Sequence, residues 1–348
     1  MKVSIRRGLY KTKILFMGGV FYLLSPLYAQ THDAQFRRLS LEDGLSQNSV
    51  YCIFQDSKGF MWLGTEDGLN RYDGRRIKEY QADYENPHSI SNNFVISIYE
   101  DRKGTLWIGT SSGGLNKFDR ESENFTHYLT SPSDPNSLSQ NTVTSICEDQ
   151  SGILWIGTYG GLNAFDRKRG VFTRYLNNPD DPNSLSNNSV TSICQDKEGV
   201  LWIGTLGGGL NKFDPKKGTF VHYKADLENP NSLRDNRILS VYEDRSGTLW
   251  IGTVDGGLHQ FDRTKERFIS YQADANNPNS LGYNTVKAIY EDSYGAGKIL
   301  WIGTQGGGLY KFDRERGIFI PYRHDPGNLN SISTNTLLCI YEDRSGVL

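Results

Sequence analysis

The hydrophobic and polar positions of this chain repeat one pattern. A run of β-branched and small residues is followed by an Asp-x-x-Gly turn, the apolar string Leu-Trp-Ile-Gly-Thr, a glycine turn and Gly-Leu-Asn-x-Phe-Asp. The apolar strings start at Met61, Leu106, Leu154, Leu201, Leu249 and Leu300. Their tryptophans, Trp62, Trp107, Trp155, Trp202, Trp250 and Trp301, lie 45, 48, 47, 48 and 51 residues apart. Such a period has room for four short strands and their turns, which predicts all-β propeller blades rather than a helical solenoid.

One unit shows the parts. Asn141 to Asp149 has no helical period and reads as a strand covered on both faces, strand a. Asp149-Gln-Ser-Gly152 is a hairpin turn, with the Asp carboxylate holding the backbone and Gly tolerating positive φ. Strand b is Leu154 to Thr158, strand c Leu162 to Phe165 and strand d Phe172 to Tyr175. The longer turn Asp292 to Gly297 accounts for the 51-residue gap. After strand d, loops such as Asp181-Pro-Asn-Ser-Leu185 stop strand pairing and lead into the next blade. Copies of strand a begin at Asn48, Asn93, Asn141, Asn188, Asn236, Asn284 and Asn335, which predicts a seven-bladed β-propeller of four-stranded blades.

The ends of the repeat add two expectations. Phe36 to Leu39 matches a strand d with no strand a, b or c before it, an orphan outer strand that completes the last blade and abolishes the open sheet edge. Tyr341 to Leu348 stops one residue before the expected seventh tryptophan, so the closing blade is expected to be incomplete and the chain a fragment. The propeller is assigned to residues 30–348. Residues 1–29 have the layout of a secretory signal peptide: Lys2, Arg6, Arg7, Lys11 and Lys13 precede the apolar run Ile14 to Leu24, and Ala29 precedes Gln30. A signal anchor is the alternative, although the apolar run is short for a membrane span. Removal of this segment takes five positive and no negative side chains, moving the formal charge from −2 to −7. An acidic exported domain is a poor partner for nucleic acid or anionic lipid.

Cys52, Cys147, Cys194 and Cys339 are read as buried thiols, because equivalent positions of a rotationally symmetric ring misalign the Cβ vectors that a bridge needs. The tryptophans recur at one strand position in every complete blade, so they are assigned to packing between blades. The Asp-x-x-Gly carboxylates lack the dense ligand spacing of a calcium loop, and no His-x-x-x-His or Cys-x-x-Cys pair suggests zinc. The six histidines, His32, His88, His127, His222, His259 and His324, do not converge. No catalytic residue, metal or cofactor is therefore assigned. The b–c turns and the d–a loops share one face, and there the copies stop agreeing. Glu66, Asp67, Ser111, Ser112, Tyr159, Asp255 and Gln305, with Leu206 and Val254, differ blade by blade and are the candidate ligand-binding positions.

The opening Phe36 to Val50, the stretch Asp56 to Asp73 and the later Leu-Trp-Ile-Gly-Thr copies resemble two-component regulator propeller repeats. That resemblance implies a periplasmic sensor responding to an extracellular glycan or oligosaccharide. In the intact protein it implies a downstream propeller, a β-sandwich, a membrane helix and a histidine kinase, and a homodimer. A protein-interaction or adhesion propeller is one alternative. A propeller glycosidase or lyase is another, and would need a convergent carboxylate or His-carboxylate set at the channel mouth.

Overall fold

The structure, a computed structural model, describes residue 34 and residues 36–295 and 297–348. The expected signal segment, residues 1–29, lies outside the described residues. Among the described residues the strands form six antiparallel sheets, each of four strands paired in chain order. In the third blade they are Val143–Glu148, Leu154–Thr158, Gly161–Asp166 and Val171–Tyr175. The other a strands are Val50–Gln55, Val95–Glu100, Val190–Gln195, Ile238–Glu243 and Val286–Glu291. Neighbouring a strands pack on one another, so they line the axis while the d strands form the rim. The glycine of each Leu-Trp-Ile-Gly-Thr string permits this approach: a Cβ at Gly157 would come within 2.6 Å of Val190 in the next blade.

The blade count corrects the sequence expectation. The ring has six blades rather than seven with the last one incomplete, because neither Phe36 to Leu39 nor Leu337 to Leu348 has a strand to pair with in a ladder. A strand-like sequence becomes a sheet only when its backbone N–H and C=O groups meet a partner strand. Residues 337–348 instead close the ring between the sixth blade and the first. Leu337 N–H donates to Thr304 O (2.9 Å), Ser293 N–H to Glu342 Oε2 (3.2 Å) and Arg344 N–H to Gln55 Oε1 (2.8 Å). Among the described residues Phe36 to Leu39 likewise form no strand. Phe36 does make the bond that the d-strand phenylalanines make, donating its N–H to Asn330 O (3.3 Å), but the chain then turns into a short 3-10 helix, Leu41–Asp43, capped by Ser40.

Two repeated motifs turn out to explain each other. Asp149 Oδ1 accepts the N–H groups of Ser151 and Ile153, both at 2.9 Å, and Oδ2 accepts the indole N–H of Trp155 at 2.7 Å. The same indole bond, at 2.7–3.0 Å, joins Trp62 to Asp56, Trp107 to Asp101, Trp202 to Asp196, Trp250 to Asp244 and Trp301 to Asp292. All six tryptophans are buried, and each lies against at least one aromatic ring; Trp155 meets Tyr175 at 5.6 Å and Phe213 of the following blade at 5.3 Å, and Trp301 meets Tyr322 at 5.8 Å. A large ring that must be dry and a polar N–H that must be satisfied are thus served by one turn residue.

An arginine from the following blade tightens this junction. Arg120 reaches Asp56 (2.6 Å), Arg167 reaches Asp101 (2.5 Å), Arg263 reaches Asp196 (2.7 Å) and Arg314 reaches Asp244 (2.8 Å). The first three also grip the glutamate that ends their own a strand: Glu100 at 2.8 Å, Glu148 at 2.5 Å and Glu243 at 2.9 Å. The first and fourth blades have Gly74 and Pro215 at the arginine position, and there the glutamate is replaced by Gln55 and Gln195. Glutamate and arginine are absent together, while Asp149, left without its arginine by Pro215, is held by two turn N–H groups and the Trp155 indole. All four cysteines are free thiols, and burial pushes Cys147 up to about 11.

Candidate functional site

The candidate face rests on a repeated backbone scaffold. In the second blade the b–c turn donates Gly114 N–H to Asn141 O (2.9 Å), and Thr130 N–H donates to Asn141 Oδ1 (2.8 Å). Asn93, Asn236, Asn284 and Asn335 accept the same two bonds at their junctions. At these five junctions the asparagine therefore fixes the turn of the preceding blade, while of the two bonds Asn188 accepts only the side-chain one, from Asn177 N–H (2.7 Å). Side chains on the turn are left free to differ.

Glu66, Asp67, Ser112, Tyr159, Asp255 and Gln305 are exposed and Ser111 is half-buried. Tyr51 O–H donates to Glu66, and its ring meets Phe94 edge-on at 4.7 Å. That bond, with burial and the carboxylate charge behind it, pushes the Tyr51 phenol up to about 12. Asn93 Nδ2 donates to Asp67 Oδ1 (3.3 Å), Ser111 N–H to Phe94 O (2.9 Å) and Thr142 Oγ1 to Ser111 O (2.5 Å). In the fifth blade Arg237 bridges Asp235 (3.0 Å) and Asp255, and Asp255 N–H donates to Asp235 Oδ2 (2.8 Å). Burial works to raise the Asp235 carboxyl, but the Arg237 hydrogen bonds and backbone N–H groups outweigh it and hold it below the usual range. Gln305 N–H donates to Thr285 O (3.0 Å), and the Tyr283 ring lies against Gly306.

The structure thus groups Glu66, Asp67 and Ser111 through Tyr51, Asn93, Phe94 and Thr142, and it keeps Asp255 with Arg237. No hydrogen bond or ion pair among the described residues joins a candidate side chain of one blade to that of another. Sequence reasoning missed Tyr51, Phe94, Asp235, Arg237 and Tyr283. They flank the asparagine that heads strand a, and the same blade-by-blade disagreement, applied there as well as to the b–c turns, would have found them.

The chemistry offered is recognition chemistry. Carboxylates, hydroxyls, an amide, a guanidinium and exposed rings share one face, while the Asp235 and Asp255 carboxylates are tied to Arg237. Histidines serve the frame: His127 and His222 Nε2 sit 2.7 Å from the carbonyls of Ser89 and Ser184. No cluster of three metal-ligating side chains occurs among the described residues.

The profile of the two component regulator propeller family matches residues 44–67, 89–112, 137–160, 184–207 and 232–255, from the loop entering strand a through the b–c turn of five blades. The chain belongs to the two-component regulator propellers. It is similar to the extracellular domain of B. thetaiotaomicron BT3049, described as a hybrid two component system, with 29% identity and a TM-score of 0.76 over 90% of this chain and 40% of that one. Histidine kinase P4 of Formosa agariphila is 44% identical over 70 residues, 20% of this chain and 5% of that protein. A streptogramin B lyase shares the fold alone, at 15% identity and a TM-score of 0.63 over 87% of this chain and 90% of that one. This two-component regulator propeller is a periplasmic or extracellular sensor-type domain, and it spans well under half the length of the relatives named first.

Proposed function

We propose that the face bearing the b–c turns binds an extracellular glycan or oligosaccharide without turning it over, and that occupancy is relayed to the histidine kinase of a longer, membrane-tethered protein. One observation carries the reading: exposed, blade-specific side chains stand on a backbone scaffold that the blades share. Sugar recognition pairs ring faces with hydrogen-bonding groups. Tyr159, and Tyr51 with Phe94, supply rings, while Glu66, Asp67, Ser111, Asp255 and Gln305 supply donors and acceptors. The family and its extracellular relatives support a sensor. The lyase likeness is one of fold and brings no residues with it.

The test is kinase autophosphorylation of the full-length protein in membrane vesicles, with and without a panel of oligosaccharides. One of them is expected to change the rate, and Glu66→Gln with Asp255→Asn to raise the concentration needed at least tenfold. An unchanged response in that double variant removes this face as the site.

A further inference from the structure

The crevice between the fifth and sixth blades, on the side of the ring opposite the b–c turns, departs from the repeat in three places at once. First, Gln260 occupies the strand-c position of Arg71 and Lys212, whose cationic ends lie 5.8 Å from the rings of Trp62 and Trp202. Gln260 is shorter and neutral, and it accepts a hydrogen bond from Tyr271 O–H (3.2 Å) instead of reaching along Trp250. Second, the a–b turn of the sixth blade is longer; its Gly297 carbonyl accepts Nη1 of Arg314 (2.7 Å), whereas Gly104 and Gly247 accept the Nε of their arginines and Gly152 an Nη that also reaches Glu148. Third, Nη1 of Arg314 is left 3.9 Å from Glu291 Oε1, where the counterpart pairs close to 2.5–2.9 Å.

Glu291 is 1% exposed. Its Oε2 accepts Arg245 N–H (2.8 Å), while its Oε1 accepts no hydrogen bond. Both facts matter because the side chain lines a cavity of about 690 Å³, together with Trp250, Gln260, Tyr271, Lys298 and Arg314. That volume is within the range of small-ligand sites. A buried carboxylate oxygen without a donor is costly, so the cavity favours an occupant bringing an O–H or N–H group. An ammonium ligand would face Arg245, Lys298 and Arg314; an anion would face Glu291 and Glu315. A neutral hydroxylated ligand meets both sets, donating to carboxylates and accepting from cations.

We infer that this inter-blade crevice is a second binding site, taking a small polyol or a single sugar ring with one hydroxyl donating to Glu291 Oε1. It is independent of the face proposed above. The experiment follows the indole N–H signals of the 15N-labelled protein during titration with D-glucose and, as a minimal polyol, glycerol, with Trp250 assigned from Trp250→Phe. The Trp250 signal is expected to shift saturably. Gln260→Lys, which restores the residue type of the neighbouring interface, is expected to weaken the effect at least tenfold, and Glu291→Ala does the same should the lysine variant not fold. Glu66→Gln leaves this titration unchanged, which separates the fate of this site from that of the opposite face. No saturable shift with either probe, meaning bound water only, or a shift that survives both crevice variants, overturns the inference.

Discussion

Trp155→Phe and Trp107→Phe are the same substitution at equivalent positions, yet their costs are expected to differ. Each keeps a ring against its neighbours, for Trp155 the rings of Tyr175 and Phe213, and each removes the indole N–H that an aspartate Oδ2 accepts. The shape change costs up to about 1.5 kcal/mol in both. What remains at the aspartate sets them apart. Asp101 keeps Arg167 on the same oxygen at 2.5 Å, whereas Pro215 stands where Asp149 would receive an arginine, and no ion pair to Asp149 occurs among the described residues. Asp149 is 3% exposed, so its Oδ2 loses its partner in a dry site. A hydrogen bond to a charged group contributes about 1.5–3 kcal/mol. Trp155→Phe should therefore cost about 2–4 kcal/mol and exceed Trp107→Phe by roughly 1–2 kcal/mol. Urea denaturation followed by circular dichroism, fitted with a shared slope, measures the difference. Equal midpoints would refute the claim that the indole N–H is worth most to the aspartate that no arginine backs.

Two further predictions test the frame and the candidate face. Trp155→Ala should cost about 3–5 kcal/mol, the usual effect of emptying a large aromatic site, while Tyr159→Ala, at 49% exposure, should stay within about 0.5 kcal/mol; equal effects in the same denaturation series would overturn the face assignment. His259 replaces the strand-c asparagine of the first four blades, and burial, ahead of the Ile251 backbone bond that opposes it, pulls the imidazole down to about 4 from 6.5. Because the unfolded chain binds the proton first, this stabilisation is complete above pH 6.5 and is lost as pH falls toward 4, about 3 kcal/mol in all. His259→Asn should flatten stability against pH across that window, and an unchanged slope would contradict it.

The period, the strands and the turns were legible because each blade repeats one hydrophobic pattern, so that Asp149-Gln-Ser-Gly152 or Leu154–Thr158 could be placed from a single copy. The blade number was not. Counting the asparagines that head strand a treats Asn335 like the others, but Leu337 to Leu348 has side-chain and loop contacts on both sides and no ladder partner. Pairing is a tertiary fact that a strand's own residues do not contain. The same holds for the Trp155–Asp149 bond, whose two halves were read separately as packing and as a turn. On the candidate face, Glu66 and Asp255 were found from turns that vary, while Tyr51 and Arg237 sit one strand away in sequence and meet those turns only in the fold.

The most direct measurement of the central claim is calorimetric titration of the propeller with the oligosaccharide that changes kinase output, with chromatography of the same samples afterwards. The account predicts a saturable heat, weakened at least tenfold by Glu66→Gln with Asp255→Asn, and an oligosaccharide recovered intact after prolonged incubation. Cleavage products, or a heat that the double variant leaves unaltered, would contradict it.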